Sequence, residues 1–509
     1  MEATATLPKD QQFAWTVPGW PIAAQMLGPK QDPARKARIE QVLRNGLLVM
    51  HALPFTAHTE SLELEDLVRG LDFSRAIARK YGLPLPLAAK MTDVPSHSWV
   101  LPTLLSHAGV RFLHLGCNPA SQTPRVPALF WWEGPDGSRI LCGYTADYGS
   151  GLKPPKGWPS VNYLAMMMTG DNHGPPSATD VEKWRETCAK TMPDVNVHFG
   201  TLDDFAKAVI AENPKLMVVR GDMPDTWIHG LMSMPQATRV ARNMRPLAPA
   251  LEILDTQLRL WGLSPVPATK TLAKVYENSL LFAEHTWGMS AGFGPRELYG
   301  AAWKKWLADM EQEPLPANGD YSKLPRGSKR KWMQSYQDHR DYANTADKLV
   351  RDGLQESLAL LADNVTAKPG DNVVYNPLPW TRSGIVEMGE KTFFARDVPA
   401  CGYKVFPATA ASTASAVSPA ASSASSLETP HFKVEWDLKR GGIASLIEKA
   451  TGREWVDKSS AYVIGQFLHE RYDTRQMLEF HNAYGRPGYS WPKGDLPNGT
   501  PKPLRFLNV

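Results

Sequence analysis

The chain has 509 residues, 43% hydrophobic and 21% charged, a composition that excludes global disorder. Its 56 lysines and arginines face 52 acids, a formal charge of +4 spread along the chain, so no nucleic-acid partner is expected. No run approaches the roughly 18 apolar residues of a membrane span, so no membrane partner is expected either. The four cysteines, Cys117, Cys142, Cys188 and Cys401, include no Cys-x-x-Cys pair, which argues against a disulfide scaffold or a thiolate zinc site. Met1 to Gln11 shows no basic-then-apolar leader, and the compartment stays open with the cytoplasm slightly favoured.

From residue 11 to about 220, short apolar runs alternate with helical stretches. The runs are Phe13–Trp15, Leu47–His51, Pro84–Met91, Val110–Leu115, Ile140–Tyr144, Tyr163–Met168, Val195–Phe199 and Leu216–Arg220. Between them, Leu64, Leu67, Leu71 and Phe73 recur near the helical period within Leu62–Tyr81. Such alternation predicts a parallel sheet flanked by helices, either a barrel or a doubly wound sheet. Ligands in both bind at the C-terminal ends of the strands.

Long helical patterns follow: Pro235–Leu260, Lys270–Glu284, Arg296–Met310 and Lys331–Leu361. Alternation returns at Asn372–Tyr375, Gly384–Met388, Tyr403–Phe406 and His431–Trp436, predicting an all-β region. Ala408–Ser426 is almost wholly Ala, Ser and Thr and reads as a flexible linker or disordered loop.

Four segments place polar residues where chemistry is expected. Asp93, in Met91-Thr-Asp93-Val-Pro-Ser-His97, follows an apolar run and suits a nucleophile or metal ligand; helix capping is the alternative. Asp171 lies in Gly170-Asp171-Asn172-His173-Gly174, a loop able to carry a general acid or a metal ligand, or simply a turn. Asp222, with Asp225 and Trp227 behind it, suits sugar binding, with Asp225 equally suited to capping a helix. His285, between Glu284 and Thr286, ends a helix as a metal ligand or as a structural histidine on the helix dipole.

Taken in order, these segments resemble glycoside hydrolase family 38, the α-mannosidase family, from about Phe13 onward. Met91 to Pro102 looks like the family's Asp-x-x-x-His-Ser strand followed by Leu-Pro. Gly170-Asp171-Asn172 resembles its Gly-Asp-Asp loop, with Asn172 standing where the family has its second acid. Glu284-His285-Thr286 resembles its helix-end histidine segment, and Asn376-Pro-Leu378 the opening of its β-sandwich. The resemblance implies a multidomain α/β, all-α and all-β chain: an incomplete seven-stranded β/α barrel over 1–222, a helical bundle over 223–368, and an incomplete β-sandwich over 369–509 that carries an Ala/Ser-rich loop at 408–426.

The activity it implies is metal-dependent retaining hydrolysis of α-mannosides or related glycans, through two carboxyl groups about 5–5.5 Å apart. Asp93 would be nucleophile and zinc ligand, His285 a second zinc ligand, and Asp171, in preference to Asp222, the acid/base. Asp222, Trp99, Trp227 and Trp287 would contact the carbohydrate substrate. The family's first strand carries His-x-Asp, two further zinc ligands, and no such pair stands near this N-terminus. A chain truncated at both ends and weak or inactive as a mannosidase is therefore expected. The alternatives are a non-catalytic carbohydrate-binding relic of the same fold and a deacetylase-like metal hydrolase.

Overall fold

The computed structural model describes residues 4–95, 97–119, 121, 123–167, 169, 174–223, 231, 233–287, 300–325, 327–388, 391–412, 421–423 and 425–469. These divide into two compact units, one of residues 4–249 with 268–353 and one of 250–267 with 354–469. Among the described residues, no helix is long and apolar enough to cross a membrane.

In the first unit, β1 (Trp15–Pro18) and β2 (Leu48–His51) pair in parallel. A five-stranded sheet runs in the order β3 (Ala88–Met91), β4 (Phe112–Gly116), β6 (Arg139–Thr145), β5 (Leu129–Glu133), β7 (Val218–Arg220). Pairing is parallel except between β5 and β6, which form a hairpin. Gly137, at φ 84°, turns that hairpin in a conformation that suits glycine. A hydrogen bond from Ala52 N to Ala88 O (2.9 Å) ties the end of β2 to β3.

Both faces of the sheet are buried, as parallel sheets require. On one face Ala89, Met91, Leu113, Leu115 and Cys142 pack with Leu101 and Leu105 of the helix Val100–His107. On the other, Ala88, Phe112, Leu129 and Leu141 meet Leu202, Phe205 and Val209 of the helix Leu202–Glu212. The helices of this unit are α1 (Pro33–Arg44), α2 (Leu64–Gly70), α3 (Asp72–Tyr81), α4 (Val100–His107), α5 (Ala178–Thr191), α6 (Leu202–Glu212), α7 (Pro235–Met244), the start of α8 (Leu247–Leu260), α9 (Thr269–Phe282), α10 (Gly300–Glu311) and the first part of α11 (Lys329–Asp363). Their ends are set locally. Asp32 accepts from Arg35 N, and capping boxes open α5 at Ser177 and α6 at Thr201. Asp66 of α2 and Arg245 form a buried ion pair at 2.9 Å, with Ser279 Oγ accepting from the guanidinium.

Several expectations are corrected. Tyr163 to Met167 and Val195 to Phe199 form no strand. Leu164 and Met166 instead pack as irregular chain against the α6 core, while Val195 and Val197 are exposed. The Leu62–Tyr81 pattern is two helices, broken at Leu71. Likewise Pro235–Leu260 is two helices, interrupted at Pro246, which lacks the N–H an α-helix interior needs.

The second unit holds the rest of α8 and α11, whose Leu254, Leu258 and Leu361 share a core with Val373 and Tyr375. Its strands are antiparallel: β8 (Asn372–Asn376) with β11 (Gly402–Phe406), β9 (Arg382–Met388) with β10 (Lys391–Val398), and a five-stranded sheet. That sheet runs in chain order through β12 (Ala421–Ser422), β13 (Ser426–Glu428), β14 (Phe432–Asp437), β15 (Gly442–Glu448) and β16 (Arg453–Glu454). Buried Asn376 explains the Asn-Pro-Leu segment. Its Nδ2 donates to the carbonyls of Trp380, Val398 and Pro399, and its Oδ1 accepts from Leu378 N, so one amide closes the turn after β8. In the Ala/Ser tract, 408–412 form a 3-10 turn; 413–420 and 424 lie outside the described residues.

Candidate active site

Strand β3 ends at Met91, and the chain then turns sharply. Asp93 has φ 84°, a left-handed conformation that few non-glycine residues adopt. Asn118, just after β4, donates its backbone N–H to Asp93 O (2.9 Å) and so helps hold the turn. The Asp93 carboxylate is surrounded by donors. Asn118 Nδ2 (2.7 Å) and the Tyr148 hydroxyl (2.5 Å) both reach Oδ1, and His285 Nε2 lies 2.8 Å from Oδ2. Burial pushes the carboxyl pKa up, but the hydrogen bonds from His285, Tyr148 and Asn118 outweigh it and hold the group below its ordinary range.

His285 arrives from the end of α9. Residues 283–285 lie along the segment that follows β2: His58 N donates to Ala283 O, and His285 N to Thr56 O. Burial lowers the imidazole pKa, but Asp93 and Glu284 on its two sides raise it to about 10, so the ring is an imidazolium at neutral pH. Glu284 Oε1 is 2.7 Å from Nδ1 yet out of line for a hydrogen bond, so that contact is electrostatic. The Glu284 carboxylate is itself fixed by the Thr286 N–H and hydroxyl.

Asp93 and His285 open onto a cleft of about 1630 Å³. One wall is Phe13 to Pro18; others are Val161 to Met167, Val195 to Phe205 and Thr286 with Trp287. That volume exceeds the roughly 300–1,000 Å³ of a drug-sized pocket and suits an extended ligand. Apolar and aromatic walls around a few fixed polar groups suit the faces and hydroxyls of sugars.

The remaining expected residues are placed differently. Trp287 lines the cleft, with its ring packed edge-to-face on Phe282 at 5.3 Å and beside His339 at 4.0 Å. Asp222 and Trp99 sit together at the start of α4, and neither lines the cleft. Asp222 Oδ1 accepts from Trp99 N (2.6 Å), while the Trp99 indole donates to Glu133 O (2.7 Å). Asp171 and Trp227 lie outside the described residues, as does Asn172. Sequence reasoning missed Asn118 and Tyr148. Both follow strand-like runs, the signal that nominated Asp93.

Zinc is the metal the family resemblance implies. Asp93 and His285 offer the right atoms, and Glu284 beside Nδ1 is the kind of outer carboxylate that orients a metal-bound imidazole. Yet Oδ2 and Nε2 face each other at hydrogen-bond distance, and among the described residues no group of three His, Cys, Asp or Glu could hold a metal. Two ligands do not fit a four-coordinate zinc.

No family profile matches the sequence, and no curated protein does. Solved structures do match. An α-mannosidase from Enterococcus faecalis V583 aligns with a TM-score of 0.52 at 14% identity, covering 89% of this chain and 57% of that one. A glycosyl hydrolase family 38 protein from Enterococcus faecalis aligns at 0.47 and 12% identity, covering 89% and 56%. A 4-α-glucanotransferase from Thermococcus litoralis aligns at 0.32 and 12% identity, covering 87% and 60%. This chain thus spans little more than half the length of the α-mannosidase, and across 89% of its own length it shares that protein's fold.

Proposed function

We propose that this chain is a retaining glycoside hydrolase of the family 38 type, acting on α-mannosides or related glycans with Asp93 as nucleophile. One observation carries the reading: an ionised carboxylate, in a left-handed turn at the end of a parallel strand, stands on a cleft long enough for a glycan. The α-mannosidase fold supports the same class. Three donors keep Asp93 charged and aimed, and His285 balances that charge so that the carboxylate can stand in an apolar-walled cleft. An ionised carboxylate attacks the anomeric carbon as a second acid protonates the departing oxygen; water then releases the sugar by the reverse route. Asp171 is the proposed acid/base. The segment leading to it, Val161 to Met167, lines the cleft. A bound zinc would orient sugar hydroxyls, but it needs ligands beyond Asp93 and His285.

The test is hydrolysis of an aryl α-mannoside, with the anomer of the first-formed sugar read by NMR. Turnover with retention, abolished in a folded Asp93→Asn variant, is the expected result. Mannoside binding without turnover would establish the non-catalytic alternative, and inversion would remove Asp93 from the nucleophile role.

A further inference from the structure

The cleft holds one charged group that its surroundings do not neutralise. Lys90, on β3 three residues before Asp93, lines the cleft, and its ammonium makes no hydrogen bond or ion pair among the described residues. Among the described residues its neighbours supply no counter-charge. His114 pairs with Lys90 in register on β4, and His51 ends β2. The two histidines are 2% and 4% exposed, and each has a buried Nδ1 without a partner. Burial, then the nearby ammonium, holds both neutral: His51 is pulled down to about 3 and His114 well below its ordinary value. Farther along the same face lie Ala88, Phe112 and Leu141, with Phe205 of α6 against them.

Among the described residues, the carboxylates that line the cleft are already committed. Asp93 is matched by His285, and Asp204 Oδ2 accepts from the Thr201 backbone and hydroxyl at the start of α6. Burial alone pulls the Lys90 ammonium down to about 8, so it stays largely charged at neutral pH while bearing a desolvation cost. Lys90 is half-buried; charges drawn out of water are ordinarily paired, and unmet buried polar groups such as the two Nδ1 atoms call for a partner. Here an ammonium unpaired among the described residues lines the cleft, and two buried imidazoles with unmet Nδ1 atoms stand beside it in the fold.

We infer that Lys90 anchors an anion subsite, and that the natural ligand of the cleft is an acidic glycoside bearing a phosphate or a carboxylate. The inference rests on reading the cleft as a glycosidase site. A lysine ammonium is a compact point charge suited to either anion. Three residues of chain reach at most roughly 10 Å, which puts the anion on the sugar attacked at Asp93 or on the unit next to it.

Calorimetric binding of mannose 6-phosphate, mannuronate and mannose to the full chain tests this. At least one acidic sugar should bind tenfold or more tightly than mannose, its identity showing whether phosphate or carboxylate is read. Lys90→Met should cut that margin to within threefold, and Lys90→Arg should keep most of it. Thermal melts confirm that both variants fold; Met matches the stem of Lys90 and removes the desolvated charge. Acidic sugars binding no tighter than mannose, or a margin that survives in a folded Lys90→Met, would overturn the subsite. Turnover of the neutral aryl mannoside is read separately. A margin without turnover sinks the hydrolase and keeps the anion site; turnover without a margin does the reverse.

Discussion

The loops after β3 and β7 begin alike, each with an aspartate within two residues of a parallel strand's end, and they end in different chemistry. After β3, Asp93 is turned by a left-handed backbone into a cleft, where side-chain donors from three other segments converge on it. After β7, the bend falls at Gly221 (φ 100°), and Asp222 meets the free backbone N–H at the start of α4. An open helix end satisfies a carboxylate as well as a catalytic site does. Position at a strand end therefore nominates an acid, and the donors that reach it decide what it does.

The contrast breaks most directly at Asp93. Asp93→Asn should lose at least ~1,000-fold in kcat/KM, about 4 kcal/mol of barrier, in an assay of aryl α-mannoside hydrolysis. A third carboxylate marks the purely structural extreme. Asp66 is buried against Arg245 at 2.9 Å, so Arg245→Met, which strands the acid without its partner, should cost about 3–5 kcal/mol in urea unfolding. Removing one donor tests how Asp93 is held. Tyr148→Phe deletes a hydrogen bond to a charged group, worth about 1.5–3 kcal/mol, and should lower kcat/KM by roughly 10- to 100-fold. At the other loop, Asp222→Ala should cost about 1 kcal/mol of thermal stability as a lost cap, and a thousandfold fall in rate would return Asp222 to the reacting groups.

The smallest effect belongs to the second unit. Hydrogen bonds from the Ser445 hydroxyl and from Leu446 N and Val456 N hold Glu454 down to about 2. A group with a depressed folded pKa stabilises above its unfolded value, here 4.5, and that contribution fades as pH falls toward 2. Glu454→Gln should flatten this part of the acid-unfolding curve of the second unit.

Apolar runs marked β2, β3, β4, β6 and β7; the rule that strands buried on both faces are nearly continuous in apolar residues holds best for β4 and β6 and least for half-exposed β7. The same rule misread Tyr163 to Met167, where apolar side chains cover a helix without joining a sheet. It also passed over β5, Leu129–Glu133, which enters the sheet as one arm of a hairpin with β6 and meets β7 on its other edge. At the candidate site, Asp93 and His285 were legible and come together. Asn118 and Tyr148 were not singled out, since an Asn and a Tyr in loops look ordinary until a carboxylate 25 or 55 residues earlier is known to need donors. Lys90 was hidden inside an apolar run, where a single lysine reads as an edge and not as an unpaired charge.

The left-handed backbone at Asp93 sets fold and function at odds. Glycine adopts that conformation without the steric penalty a side chain brings, and residues held in such regions carry of order 1–3 kcal/mol of strain. Asp93→Gly should relieve that strain but give up the hydrogen bonds from Asn118, Tyr148 and His285, so its melting temperature weighs the backbone against the donors. The turn is thus held by what the carboxylate binds and not by what the backbone prefers, and a library randomised at this position would separate the two demands.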